Sequence, residues 1–389
     1  MPYSFYSFGR ELDLFGSLFQ IFSLFFLVIL GAFLCHILCK FFQVSNKIGF
    51  MLYAYHLFFG LVYLVFVSNF GGDAIGYFIQ SLETTLRDFQ PGTIAVEYLT
   101  AFFSRAGFSV VGVFTVFNIF GFIGLLAFYA CLDEVTIHSS RRLKQLVLLI
   151  VFLPSISFWS AGLGKDAISF MAMGLALYAA LDFYKRVPLL ILAIAFMLFV
   201  RPHIAGMMLI AVVFSAALSR EIPFTARVII GFLGFGLATV MIPFALNYAG
   251  VNEDASNLGQ YIDARASSNQ GGGSSLDIAS LPLPLKMFTY LFRPLPFEAR
   301  SITTLLAAID NMVILYLSYV AFKVRATIRG IALLGNRVFM WSYVLIAWVL
   351  LSMTTANLGI AMRQKWMFAP ILIFLLISII AASDGKCRK

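Results

Sequence analysis

The chain alternates long apolar runs with short polar connections. The runs cover residues 14–39, 48–68, 108–132, 146–158, 166–183, 188–200, 204–219, 228–248, 301–322, 339–355 and 367–382. The hydrocarbon core of a bilayer, about 30 Å thick, takes roughly 20 helical residues. The pattern therefore predicts an all-α, polytopic integral membrane helical bundle of about 11 transmembrane helices, with 1–389 as a single transmembrane domain. The apolar/polar alternation that a membrane β-barrel needs is absent from the sequence. The run at 14–39 is too long for a signal-peptide core and no basic segment precedes it, which predicts a retained span. Pro202 ends the helix predicted over 188–200 and separates it from the next.

Two polar stretches interrupt the pattern. Residues 69–107 are polar enough to form a loop outside hydrocarbon. Within them Ile94, Tyr98 and Phe102, with Leu99 and Phe103, share one helical face opposite Glu97, Thr100 and Ser104. That spacing predicts a helix lying in the membrane interface. Residues 249–300 form the longest polar segment. Its Gly/Ser-rich first half, around Arg265, predicts a flexible loop, and the aromatic and proline residues of 285–297 suit docking at the membrane surface.

Composition agrees with the pattern. Of 389 residues, 61% are hydrophobic and 12% charged, far more apolar than a soluble domain. The net charge of +9 is then loop charge that sets orientation, and it says little about nucleic acid. About sixteen of the 27 lysines and arginines fall on alternate connections and the C-terminal tail. Basic connections stay on the cytoplasmic side, which predicts an outer N-terminus and an inner C-terminus. It also puts 69–107 and 249–300 outside. Cys35, Cys39, Cys131 and Cys387 have no zinc-type spacing with histidine and read as reduced packing residues. His36, His56 and His138 read as structural.

The outer side nevertheless keeps charges at the ends of apolar runs: Asp73 after Gly71-Gly72, Lys165-Asp166, Arg201-Pro202-His203, Arg293-Pro294, Glu298 and Arg363-Gln364-Lys365. Such groups cost about 2.5 to 3.5 kcal/mol each on insertion scales, which makes them functional candidates. The arginine fork grips phosphate bidentately and lysine adds a point charge. Arg201, Arg293 and Arg363, with Lys165 and Lys365, could together hold a diphosphate leaving group. Glycosyl transfer also uses a carboxylate to activate the acceptor hydroxyl. Asp73, Asp166 and Glu298 are the candidates, and Asp73 is favoured because two glycines allow a turn and close backbone approach. Structural readings of the same residues stand beside these. Lys165-Asp166 reads equally as a helix-capping ion pair, Asp310-Asn311 as an interhelical hydrogen-bond pair, His203 as a packed rim residue, and Arg363 and Lys365 as interfacial anchors.

Gly71-Gly72-Asp73-Ala74-Ile75-Gly76-Tyr77, the mid-chain segment from Pro154 to Asp166 and Arg363-Gln364-Lys365-Trp366 together resemble the Wzy and EpsG group of bacterial polysaccharide polymerases. The resemblance implies a multi-pass enzyme of the bacterial inner membrane, a glycosyltransferase of exopolysaccharide or O-antigen synthesis. Such an enzyme joins oligosaccharide repeats carried on undecaprenyl diphosphate at the periplasmic face, with no nucleotide sugar, cofactor or obligatory metal. Membrane lipids, a chain-length regulator and a flippase are the implied partners, and nucleic acid is not one. Asp73, Lys165, Asp166 and Arg363 match motif positions, whereas Arg201, His203, Arg293, Glu298 and Lys365 come from topology. Two other readings stay open: a GT-C-type glycosyltransferase using a polyprenyl-phosphate sugar, with a GT-C-like arrangement of helices, and a flippase or transporter of lipid-linked oligosaccharide.

Overall fold

Helices form over the apolar runs because, without water, every backbone N–H and C=O must be satisfied within its own segment. The computed structural model describes residues 4–7, 10–83, 85–219, 281–328, 333–355 and 357–386, with isolated positions between 223 and 236. Most of the span expected at 228–248, and residues 249–280 of the long loop with Arg265, lie outside them. The described chain forms two units. One comprises Met1–Asp133, Leu146–Tyr178 and Ile191–Arg201, the other Glu134–Gln145, Ala179–Leu190 and Pro202–Lys389.

The first unit opens with a short antiparallel hairpin, β1 (Ser4–Ser7) and β2 (Arg10–Asp13), in the register Ser4 to Asp13. Helices α1 (Leu18–Phe41) and α2 (Asn46–Phe70) pack on each other. The Ser17 side chain caps α1 by accepting from the Gln20 N–H at 3.3 Å. Phe22, Phe25, Phe26, Ile29 and Phe33 of α1 point outward. Then come α3 (Asp73–Ser81), α4 (Thr93–Arg105) and α5 (Val110–Val135), the last buried along most of its length. Following them, α6 (Arg141–Val151), α7 (Pro154–Ser160), α8 (Lys165–Leu181) and α9 (Val187–Val200) carry the chain on, with 141–145, 179–181 and 187–190 belonging to the second unit. Gly124 of α5 faces Gly174 of α8 so closely that a Cβ on either would collide with backbone of the other helix. This is the small-residue contact that lets membrane helices approach.

The second unit contains α10 (Pro202–Leu218), α11 (Leu283–Phe292), α12 (Ile302–Val324), α13 (Arg337–Thr354), α14 (Leu358–Gln364) and α15 (Ala369–Lys386). Helix α13 packs on α10 and α11, and α12 on α15. Asn336 caps α13 through Phe339 N–H at 3.0 Å, and its amide donates to Ser215 of α10 at 2.7 Å. Trp348 of α13 donates to the Met287 carbonyl of α11 at 2.9 Å.

Among the described residues, six helices are long and apolar enough to cross a membrane: Leu18–Phe41, Asn46–Phe70, Val110–Val135, Arg141–Ser160, Ile302–Ile328 and Arg337–Thr354. A seventh is added if Leu358–Met367 and Ala369–Gly385, which meet at 62°, form one broken span. With the large apolar side chains turned outward, this is the build of a helical membrane protein. The expected count of about 11 is not reached among the described residues. Helices α8, α9 and α10, at 17, 14 and 17 residues, are shorter than a full span, α9 rising only about 21 Å.

Candidate functional site

In the first unit α2 stops at Gly71, whose φ of +75° is left-handed and whose N–H returns to the Val67 carbonyl at 3.0 Å. A residue without Cβ makes that turn at least cost. Two residues later Asp73 opens α3, exposed, with its carboxylate on the positive end of the helix dipole. Tyr77, one turn on, brings α3 to the approach to α8: a Cβ on Gly164 would stand 3.7 Å from its ring. Asp73 and Tyr77 lie i,i+4 on one face, so Asp73 is on the side of α3 that meets the start of α8.

Three other helix ends close into a ring beside it. Lys165, the first residue of α8, donates from Nζ to Thr93 Oγ1 at 2.7 Å, the first residue of α4. Gly92, just before α4 with φ +107°, donates its N–H to the Phe199 carbonyl of α9 at 2.8 Å. Beyond the end of α9, Arg201 reaches back to α8. Its Nη2 donates to Asp166 Oδ1 at 2.5 Å and its Nε to Ser169 Oγ at 3.1 Å. The two side chains of this ion pair are only 8% and 13% exposed. Removing one partner of a buried pair costs about 3–5 kcal/mol, because the other charge stays buried. Lys165 is half-buried, so it is more open than Arg201.

The second unit holds a separate set of charges. Arg293 forks onto Glu298, donating from Nε to Oε2 at 3.1 Å and from Nη2 to Oε1. The Leu295 N–H donates to Oε2 at 2.8 Å. Hydrogen bonding from Arg293 holds the Glu298 carboxyl below its ordinary range, against the opposing effect of partial burial, and the Leu295 N–H helps. Between α14 and α15, Lys365 is 1% exposed. Its Nζ donates to Asn311 Oδ1, it feels the charge of Asp310, and it stands 5.3 Å from the Trp366 ring. The Asn311 amide donates to the Pro294 carbonyl at 3.0 Å.

Several expectations change here. Lys365 is not a rim ligand but a buried cation, because the break between α14 and α15 turns it inward onto Asn311. Glu298, a candidate base, has its carboxylate taken up by Arg293 and the Leu295 N–H. The forks of Arg201 and Arg293, expected to grip phosphate, already hold Asp166 and Glu298. Arg201 belongs to the first unit, and Arg293, Arg363 and His203 to the second. Arg363 is the half-buried penultimate residue of α14, and His203 the half-buried second residue of α10. Asn311 is hydrogen-bonded, though to Lys365 at the break between α14 and α15 and to the Pro294 carbonyl. Lys165, Asp166 and Arg201 do come together, on Thr93 and Ser169, which sequence reasoning missed. Ser169 was within reach, three residues after Asp166 on the same face of α8. For Thr93 no signal existed beyond the glycine before it. Among the described residues no cluster of His, Cys, Asp and Glu is arranged to hold a metal. No protein-family model, curated protein or solved structure matches the chain.

Proposed function

We propose that the protein is an inner-membrane polysaccharide polymerase that joins undecaprenyl-diphosphate-linked oligosaccharide repeats at the periplasmic face. The supporting observation is in the first unit: an exposed carboxylate, Asp73, at the start of α3 beside the start of α8, where the partly open Lys165 stands. Glycosyl transfer from a lipid diphosphate needs these two functions side by side. The acceptor hydroxyl attacks the anomeric carbon of the donor repeat. The new C–O bond forms as the bond to the diphosphate oxygen breaks. Asp73 takes the hydroxyl proton, and Lys165 offsets charge on the departing undecaprenyl diphosphate. In this reading the N-terminus is periplasmic, the C-terminus is cytoplasmic, and the chain crosses about 11 times in a GT-C-like arrangement. The test is a deletion strain. Single lipid-linked repeats should accumulate and long chains disappear.

A transporter or flippase is the second reading, favoured by the buried Asp310 and by Lys365 at the 62° break between two helices. Broken helices carrying ionisable groups are how transporters build midplane sites. Chains of normal length that fail to reach the surface in the deletion strain would favour it over the polymerase.

A further inference from the structure

We infer that Arg201 is a positioning residue, acting through Asp166 to hold Lys165 at Thr93, and not a ligand of the lipid diphosphate. The inference rests on the proposed reading only for the identity of the anion that Lys165 meets.

A phosphate clamp needs guanidinium N–H groups directed at an accessible space. The Arg201 residue is 7% exposed, and its Nη2 and Nε are engaged by Asp166 and Ser169. A diphosphate brought to this guanidinium would lie beside the Asp166 carboxylate, leaving two anions around one buried cation. Like charges in one poorly solvated site repel strongly. The geometry serves attachment better. Asp166 and Ser169 occupy one face at the start of α8, so the guanidinium pins that face to the end of α9. Two residues earlier the Phe199 carbonyl takes the Gly92 N–H, which fixes the start of α4 to the same end. The third side is Lys165 on Thr93. Releasing Arg201 frees the first turn of α8 and with it the ammonium of Lys165. Asp166, bound to Arg201, is then part of the same brace, which leaves Asp73 as the base.

The experiment uses the full chain in nanodiscs of zwitterionic lipid, with farnesyl diphosphate as probe, and the variants Lys165→Met, Arg201→Met, Asp166→Leu and Arg201→Met/Asp166→Leu. Lys165→Met should weaken probe binding about tenfold or more, the loss of one charge-assisted contact. The double variant should bind within about threefold of wild type, because an apolar pair can replace a buried ion pair. It should also melt at a higher temperature than either single variant. A double variant that binds as poorly as Lys165→Met would overturn the inference by making Arg201 a ligand. A double variant whose melting loss equals the sum of the two singles would overturn it by showing that they are no unit. If the wild type takes up no probe, the polymerase reading fails, and the melting comparison alone decides whether Arg201 and Asp166 act as one brace.

Discussion

Each charged residue here is defined by what it touches. Lys365 shows the limit of reading it from neighbours. In the sequence Arg363-Gln364-Lys365-Trp366 looks like a rim anchor, but a helix break turns Lys365 onto Asn311, 54 positions earlier in the chain. Replacing it by alanine removes the donor to Asn311 and the field at Asp310. The expected loss of stability is about 3–5 kcal/mol, read as a large fall in melting temperature of the solubilised protein. Arg300→Ala, at an exposed position, should stay within about 0.5 kcal/mol of wild type. A small effect of Lys365→Ala would mean that water reaches the site. Glu298 gives a pH prediction with a definite sign. Its folded pKa is depressed, so its pairing with Arg293 stabilises above the ordinary carboxylate range, and that contribution is lost as pH falls through the lowered folded value. The melting difference between wild type and Glu298→Gln should be full at neutral pH and vanish in acid. A difference independent of pH would contradict the assignment.

At the scale of elements, the sequence carried periodicity well and long-range partners poorly. Helix α4 lies where the stripe of Ile94, Tyr98 and Phe102 puts it. The structure buries the opposite face, with Glu97 and Thr100 inside and Phe102 outside at 70% exposure. An outward apolar stripe suits a helix lying in the interface, and Arg87, on Glu97 at 2.5 Å, holds the polar face inward. Hydropathy likewise could not count spans, because apolar runs that read as spans fold into helices α8, α9 and α10 of only 17, 14 and 17 residues. The ring of helix ends depended on Thr93 meeting Lys165 across 72 positions, a pairing that no local spacing encodes. It gives a test at this scale. Thr93→Val removes the hydroxyl that accepts from Lys165, while Thr93→Ser keeps it. Polymer formation in membranes with equal amounts of each protein should fall about tenfold or more for valine and stay near wild type for serine. Equal activity in both would detach Lys165 from the site.

For the whole molecule, orientation decides which substrate the site can meet. The distribution of lysine and arginine predicts that a reporter active only in the periplasm works when fused after Gly107 or Asn357 and stays silent after Lys144. The opposite pattern would put Asp73 and Lys165 on the cytoplasmic side, away from the proposed substrate. The most direct measurement of the reaction uses lipid-linked repeat units purified from the deletion strain and the purified protein in liposomes, with no nucleotide sugar or polyprenyl-phosphate sugar added. Chains of two or more repeats should appear, one undecaprenyl diphosphate released for each bond formed, and Asp73→Asn should abolish both. Repeats that stay single, while crossing from one leaflet to the other faster than in empty liposomes, would contradict polymerisation and identify the protein as a carrier of the same lipid.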